Sequence, residues 1–157
     1  GTRLKKLDEG QFDAILLAAA GLKRLGLGDR IKSLLSVEDS IPAAGQGALG
    51  IEIRSGQAGV AAMLTALNHP ETAACVRAER QVSRVLGGSC QVPLGAHAVL
   101  RDGKLVMNGF VAHPDGSCFI HDCTEGDPTD PEAVGQQLAD KLLAQGARAI
   151  LDALPPA

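Results

Sequence analysis

The sequence holds 157 residues, 45% apolar and 21% charged, with a formal net charge of −3, which is enough apolar surface for a core and excludes global disorder. Three Phe and no Tyr or Trp leave an aliphatic, Ala-rich core without a stacking platform for single-stranded nucleic acid, and the acidic balance speaks against a dedicated nucleic-acid binder. No run reaches the length of a membrane span, and the opening GTRLKKLDEG is neither an initiator Met nor a signal peptide, so the expectation is a piece of something longer.

Residues 2–9 read as a short basic helix closed by Gly10. The apolar run from Asp13 to Ala20, ended by Gly21, carries the pattern of a strand buried on both faces of an α/β sheet. Short helical turns are expected over residues 22–27 and 31–35. Residues 1–32 hold seven Lys/Arg against four acids, a balance of +3 on an otherwise acidic chain. That segment is either a candidate anion site or a solvated basic helix face. Next, Ile41-Pro-Ala-Ala-Gly-Gln-Gly-Ala-Leu-Gly-Ile-Glu-Ile53 reads as a Gly-spaced loop running into a strand. It has neither the GK[ST] of a Walker loop nor the third Gly and helix of a dinucleotide fingerprint.

Arg54-Ser-Gly-Gln-Ala-Gly59 is the best boundary candidate, and the pattern changes beyond it. One helix is expected over residues 60–68. A second has Pro70 at its first position, runs to about Leu86 and is stopped by Gly87-Gly88. On that helix Cys75, Ala78, Val82 and Val85 make one apolar stripe, and Arg77, Arg80 and Arg84 share the opposite face. Strands are expected over 95–100, 105–112 and 118–124, the first two joined through Asp102-Gly103, a strong hairpin signal. A last helix has Asp130 as N-cap and Pro131 at N1, with Gly146 bending or splitting it. The second half is thus a small antiparallel sheet covered by helices. Residues 1–57, with one buried strand and one return strand, cannot close a doubly wound sheet alone.

The four cysteines, Cys75, Cys90, Cys118 and Cys123, show no CxxC spacing, which argues against structural zinc, and reduced thiols in a cytosol-like compartment are expected. Cys90 stands apart in Gly87-Gly-Ser-Cys-Gln-Val-Pro-Leu-Gly95, a connection where a bulky electrophile can reach it. It is either a functional thiol or an inert one. The four histidines show no paired spacing, so no metal site is expected. Arg3, Arg24 and Arg30 are candidate carboxylate clamps, because a guanidinium fork matches a carboxylate bidentately.

Several blocks then match one family in order: Gly1-Thr-Arg-Leu-Lys-Lys-Leu-Asp8, Asp13-Ala-Ile-Leu-Leu-Ala18, Gly21-Leu-Lys-Arg-Leu-Gly26, Pro42-Ala-Ala-Gly-Gln-Gly-Ala48, Ala66-Leu-Asn-His69, Ala78-Glu-Arg80 and the Cys90 loop. Together they resemble the C-terminal half of porphobilinogen deaminase, also called hydroxymethylbilane synthase. The resemblance implies an α/β (α+β) protein of three domains. Residues 1–46 would finish domain 2, a periplasmic-binding-like α/β unit. Residues 47–57 would return a strand to domain 1, a related unit, and 58–157 would form a hinge helix and the small domain 3. It implies a transferase of tetrapyrrole and heme biosynthesis that joins four porphobilinogen molecules head to tail, with loss of ammonia, into linear hydroxymethylbilane.

The same resemblance implies a dipyrromethane cofactor held by a thioether to Cys90. Arg3, Arg24 and Arg80 would bind carboxylates of the cofactor and the growing oligopyrrole chain, and Gln46 and Gly47 would line the cleft. Family members often carry Gly where this chain has Ser89. The family's catalytic aspartate has no counterpart in 1–157, so no catalytic residue is expected here and the fragment alone should be inactive. The implied partner is an N-terminal half of the same cytoplasmic, monomeric protein. The alternatives are a non-catalytic small-anion-binding α/β module and a thiol-redox protein using Cys90, the latter weakened by the lack of a nearby resolving Cys.

Overall fold

A computed structural model of the chain describes residues 1–87 and 92–154. Cys90, expected on an open loop, and the Pro-Pro tail lie outside the described residues. The chain divides into two compact units, Gly1–Leu35 and Ser36–Ala157.

The first unit contains α1 (Thr2–Asp8), α2 (Ala19–Arg24) and a 3-10 turn at Gly28–Arg30. α1 ends where Gly10 takes φ +72, a left-handed backbone that glycine adopts without a Cβ clash. Two expectations need correction here. The 13–20 run is not a strand: residues 14–18 have no regular secondary structure, and Ala19 and Ala20 already belong to α2. Residues 47–57 likewise form no strand. The physical reason is common to both. A strand is defined by a neighbour that takes its N–H and C=O groups, and the described residues supply none. Leu16, Leu49 and Ile51 accordingly remain exposed. The helical turn expected over 31–35 sits instead at Gly28–Arg30.

The second unit continues with α3 (Ala58–Leu64), which tightens into a 3-10 turn at Thr65–Leu67. The helix expected to reach Asn68 stops there because Pro70 forces His69 into extended backbone, φ −103 and ψ 105. His69 then caps α4 (Pro70–Val85), its Nδ1 accepting the Thr72 N–H at 3.3 Å. α4 terminates at Leu86, followed by Gly87 at φ +74. Its apolar stripe is as expected: Ala78 and Val82 are buried, Cys75 and Val85 pack against the core, and Arg77, Arg80 and Arg84 face outward.

β1 (Leu94–Arg101), β2 (Lys104–Ala112) and β3 (Phe119–Gly126) make one antiparallel sheet in the order β1-β2-β3. The β1–β2 register pairs Arg101 with Lys104 across Asp102-Gly103, both at positive φ (+51 and +77), the geometry that the right-handed twist of a two-residue hairpin demands. α5 (Pro131–Ala144) starts at Asp130, whose side chain accepts the Ala133 N–H at 3.3 Å. Gly146, at φ +100, splits it from α6 (Ala147–Asp152). The helices cover one face of the sheet, where Leu105, Met107 and Val111 of β2 meet Val82 and Leu86 of α4 and Leu138 and Leu142 of α5. Each such side chain contributes about 1.5–3 kcal/mol by leaving water. No described helix is long and apolar enough to cross a membrane.

Candidate anion and cofactor site

In the first unit, α1 presents Arg3 at the edge of a cleft of about 450 Å³, lined mainly by apolar side chains including Leu4, Leu17, Leu22 and Leu25. A guanidinium beside an apolar wall suits a ligand with a flat apolar body and a carboxylate arm. Arg24 lies in the last turn of α2, where a cation meets the negative end of the helix dipole. It is exposed and does not line that cleft. Arg30 is already neutralised by an ion pair with Asp8, so it is not the free carboxylate clamp that its composition suggested. Arg3 and Arg24 make no ion pair among the described residues.

In the second unit, the 42–48 loop turns twice, with Gly45 at φ +76 and Gly47 at φ +88. The Gln46 N–H donates to the Ala43 carbonyl at 3.0 Å and the Ala48 N–H to the Gly45 carbonyl at 3.2 Å. The loop lies against β1: the Ala96 N–H donates to the Pro42 carbonyl at 3.0 Å. A Cβ on Gly95 would come within 2.9 Å of the Ile41 carbonyl oxygen, so only glycine permits this approach. Between loop and helix opens a cleft of about 470 Å³, bounded by Gly45, Leu49, Val76, Arg80, Ser83 and Arg84 among others. Arg80 and Arg84, one helical turn apart, make no ion pair among the described residues. Gln46 and Gly47 are exposed and line neither cleft.

Arg77, by contrast, is committed to structure. Its Nε and one terminal amine donate to Glu132 of α5, both at 2.7 Å. This hydrogen-bonded pair holds the Glu132 carboxyl below its ordinary range. Burial pushes the Cys75 thiol up, and the nearby Glu79 charge adds to the effect. Among the described residues no three His, Cys, Asp or Glu side chains gather as metal ligands.

Sequence reasoning missed Ser83 and Arg84 as parts of the second cleft, and it missed Glu79. The signal for Glu79 was present. It falls four residues after Cys75 and three before Val82, which is a core position for a charged residue.

Comparison with known proteins gives a consistent result along the chain. Residues 1–62 match the family model described as porphobilinogen deaminase, dipyromethane cofactor binding domain, and residues 73–144 match porphobilinogen deaminase, C-terminal domain. A porphobilinogen deaminase of Thiobacillus denitrificans is 83% identical over 99% of this chain and 51% of its own length. Those of Methylobacillus flagellatus (59% identical) and Chromobacterium violaceum (57%) each align with 98% of this chain and 50% of their own. The chain spans about half the length of the curated relatives it matches.

Proposed function

This chain belongs to the porphobilinogen deaminase family, and on that premise we propose that it is the C-terminal portion of an enzyme making linear hydroxymethylbilane. Four porphobilinogen molecules are condensed head to tail, with ammonia released at each step. The observation that carries this reading is a set of guanidiniums, Arg3, Arg24 and Arg80, that have no carboxylate partner among the described residues. Each pyrrole of the substrate brings an acetate and a propionate, so the growing chain is a polyanion that must be held through several additions.

Taken unit by unit, the residues present fit carboxylate-bearing pyrroles such as a dipyrromethane cofactor: in the first unit Arg3 lines an apolar cleft, and in the second Arg80 and Ser83 line a cleft beside a glycine-rich loop. When bound, that group supplies the pyrrole carbon on which the chain is built. Cys90 holds it by a thioether, Arg3, Arg24 and Arg80 bind its carboxylates and those of the oligopyrrole, and the backbone groups of Gln46 and Gly47, exposed in this chain and outside both of its clefts, line the larger cleft that the N-terminal half completes. Bidentate guanidinium–carboxylate pairing fixes orientation as well as charge. Protonating the departing amine needs a carboxylate beside the ring. None of the acids here is given that role, so the catalytic aspartate belongs to an N-terminal half, and 1–157 alone does not turn over porphobilinogen.

The domain reading follows the same premise. Residues 1–46 complete one periplasmic-binding-like α/β domain, and 47–57, which find no strand partner among the described residues, pair as a strand with a second such domain in the N-terminal half. Residues 58–157 form the hinge helix and the small sheet domain of a cytoplasmic monomer. The test is chemical. In the native protein, acidic Ehrlich reagent gives colour and intact mass shows a two-pyrrole increment, both abolished by Cys90→Ser. An unmodified mass in active protein overturns the reading, and an unmodified, inactive protein that still binds small carboxylates leaves a non-catalytic anion-binding module.

A further inference from the structure

Glu79 is the one charged side chain buried among the described residues, at 6% exposure, and the chemistry proposed above does not use it. A carboxylate placed in the apolar stripe of a helix is tolerated only when donors occupy its oxygens. Here both are occupied. Oε2 accepts the Gly45 N–H at 2.7 Å and Oε1 accepts the Ala98 N–H at 2.8 Å. Ala96 and Ala98 are alternate residues of β1, an edge strand, and their N–H groups point away from β2. The edge is therefore closed by two acceptors from outside the sheet, the Pro42 carbonyl of the loop and the Glu79 carboxylate of α4.

Gly45 has no side chain with which to anchor the loop, and its positive φ keeps other residues out. Its amide is what Glu79 holds. We propose that Glu79 is a positioning residue for the oligopyrrole cleft: its carboxylate ties the Gly45-Gln46-Gly47 loop to α4 and β1, the two elements that flank Cys90 in sequence, a role that rests on the deaminase reading above. A neutral amide cannot replace it. Gln offers one acceptor oxygen, and its NH₂ would face the second backbone donor.

The experiment compares Glu79→Gln, the milder Glu79→Asp, and Arg77→Ala in the native protein that carries this chain. Arg77→Ala serves as comparator because it loosens α4 against α5 without touching the loop. In Glu79→Gln, amide hydrogen exchange in the 42–48 peptide rises roughly tenfold, the factor that corresponds to losing one charge-assisted hydrogen bond. Peptides from α5 keep their wild-type rates, and KM for porphobilinogen rises by more than kcat falls. Glu79→Asp keeps the charge but is one methylene short, so it moves the same readouts in the same direction and less far. Arg77→Ala lowers Tm and leaves KM alone. Exchange in 42–48 that stays at the wild-type rate, or rises equally in every peptide, overturns the positioning role. If the wild-type protein carries no pyrroles and forms no hydroxymethylbilane, the deaminase reading fails, and the exchange comparison still decides whether Glu79 holds the loop.

Discussion

The Cys75 thiol sits half-buried on the side of α4 that packs against the sheet, four residues before Glu79. Burial is the larger cause that raises its pKa, and the Glu79 charge is the second. A raised thiol pKa means less thiolate at any given pH below it, and the thiolate is the nucleophile. Cys118 and Cys123 are exposed. At pH 8, iodoacetamide followed by peptide mass mapping should therefore modify Cys118 and Cys123 before Cys75. Equal labelling of Cys75 and Cys118 would contradict this ordering. The chemical consequence is selectivity, since Cys75 is a poor competitor for an electrophile against the exposed thiols.

Between elements, the contact that sets the helical layer is the approach of α4 to α5 at Gly135. A Cβ there would press onto the Ala78 carbonyl oxygen and lie within 2.8 Å of Gln81 Cβ. Gly135→Ala gains at most about 1 kcal/mol of helix propensity and forces an overpacking cost of about 1–3 kcal/mol. The expected outcome is a lower Tm by calorimetry with no change in sheet content by circular dichroism. An unchanged or higher Tm would mean that the helices separate without cost. These elements differ in how much the chain announces them. Pro70, Asp130-Pro131, Asp102-Gly103 and the 75-78-82-85 stripe were legible because caps, turns and periodicity act over a few residues. The 13–20 and 47–57 runs form no strand within this chain, because strand formation depends on a partner, which apolar composition alone does not provide. At the site, Arg3 and Arg80 were legible as charges. Glu79's hold on Gly45, made across 34 positions, exists only once α4, β1 and the loop are assembled.

At the scale of the molecule, burial is unevenly distributed. No described side chain before Ala78 is buried, whereas the region from Ala78 to Ile150 holds the whole core. Stability follows buried apolar area, so the N-terminal part of 1–157 opens at lower free energy than the sheet domain. Limited trypsin digestion of 1–157 should cut at Lys23, Arg24, Lys32 and Arg54 before any site within 70–152. A first cut inside α4 or the sheet would refute that order. The two-residue Asp102-Gly103 turn adds a practical corollary. It lies at the opposite end of β1 from Leu94, seven residue steps or about 23 Å of strand away. A spectroscopic reporter grafted onto that tip would sit at the far end of the sheet from Leu94, so its signal would follow the folding of the hairpin without touching the end of β1 that leads back toward α4.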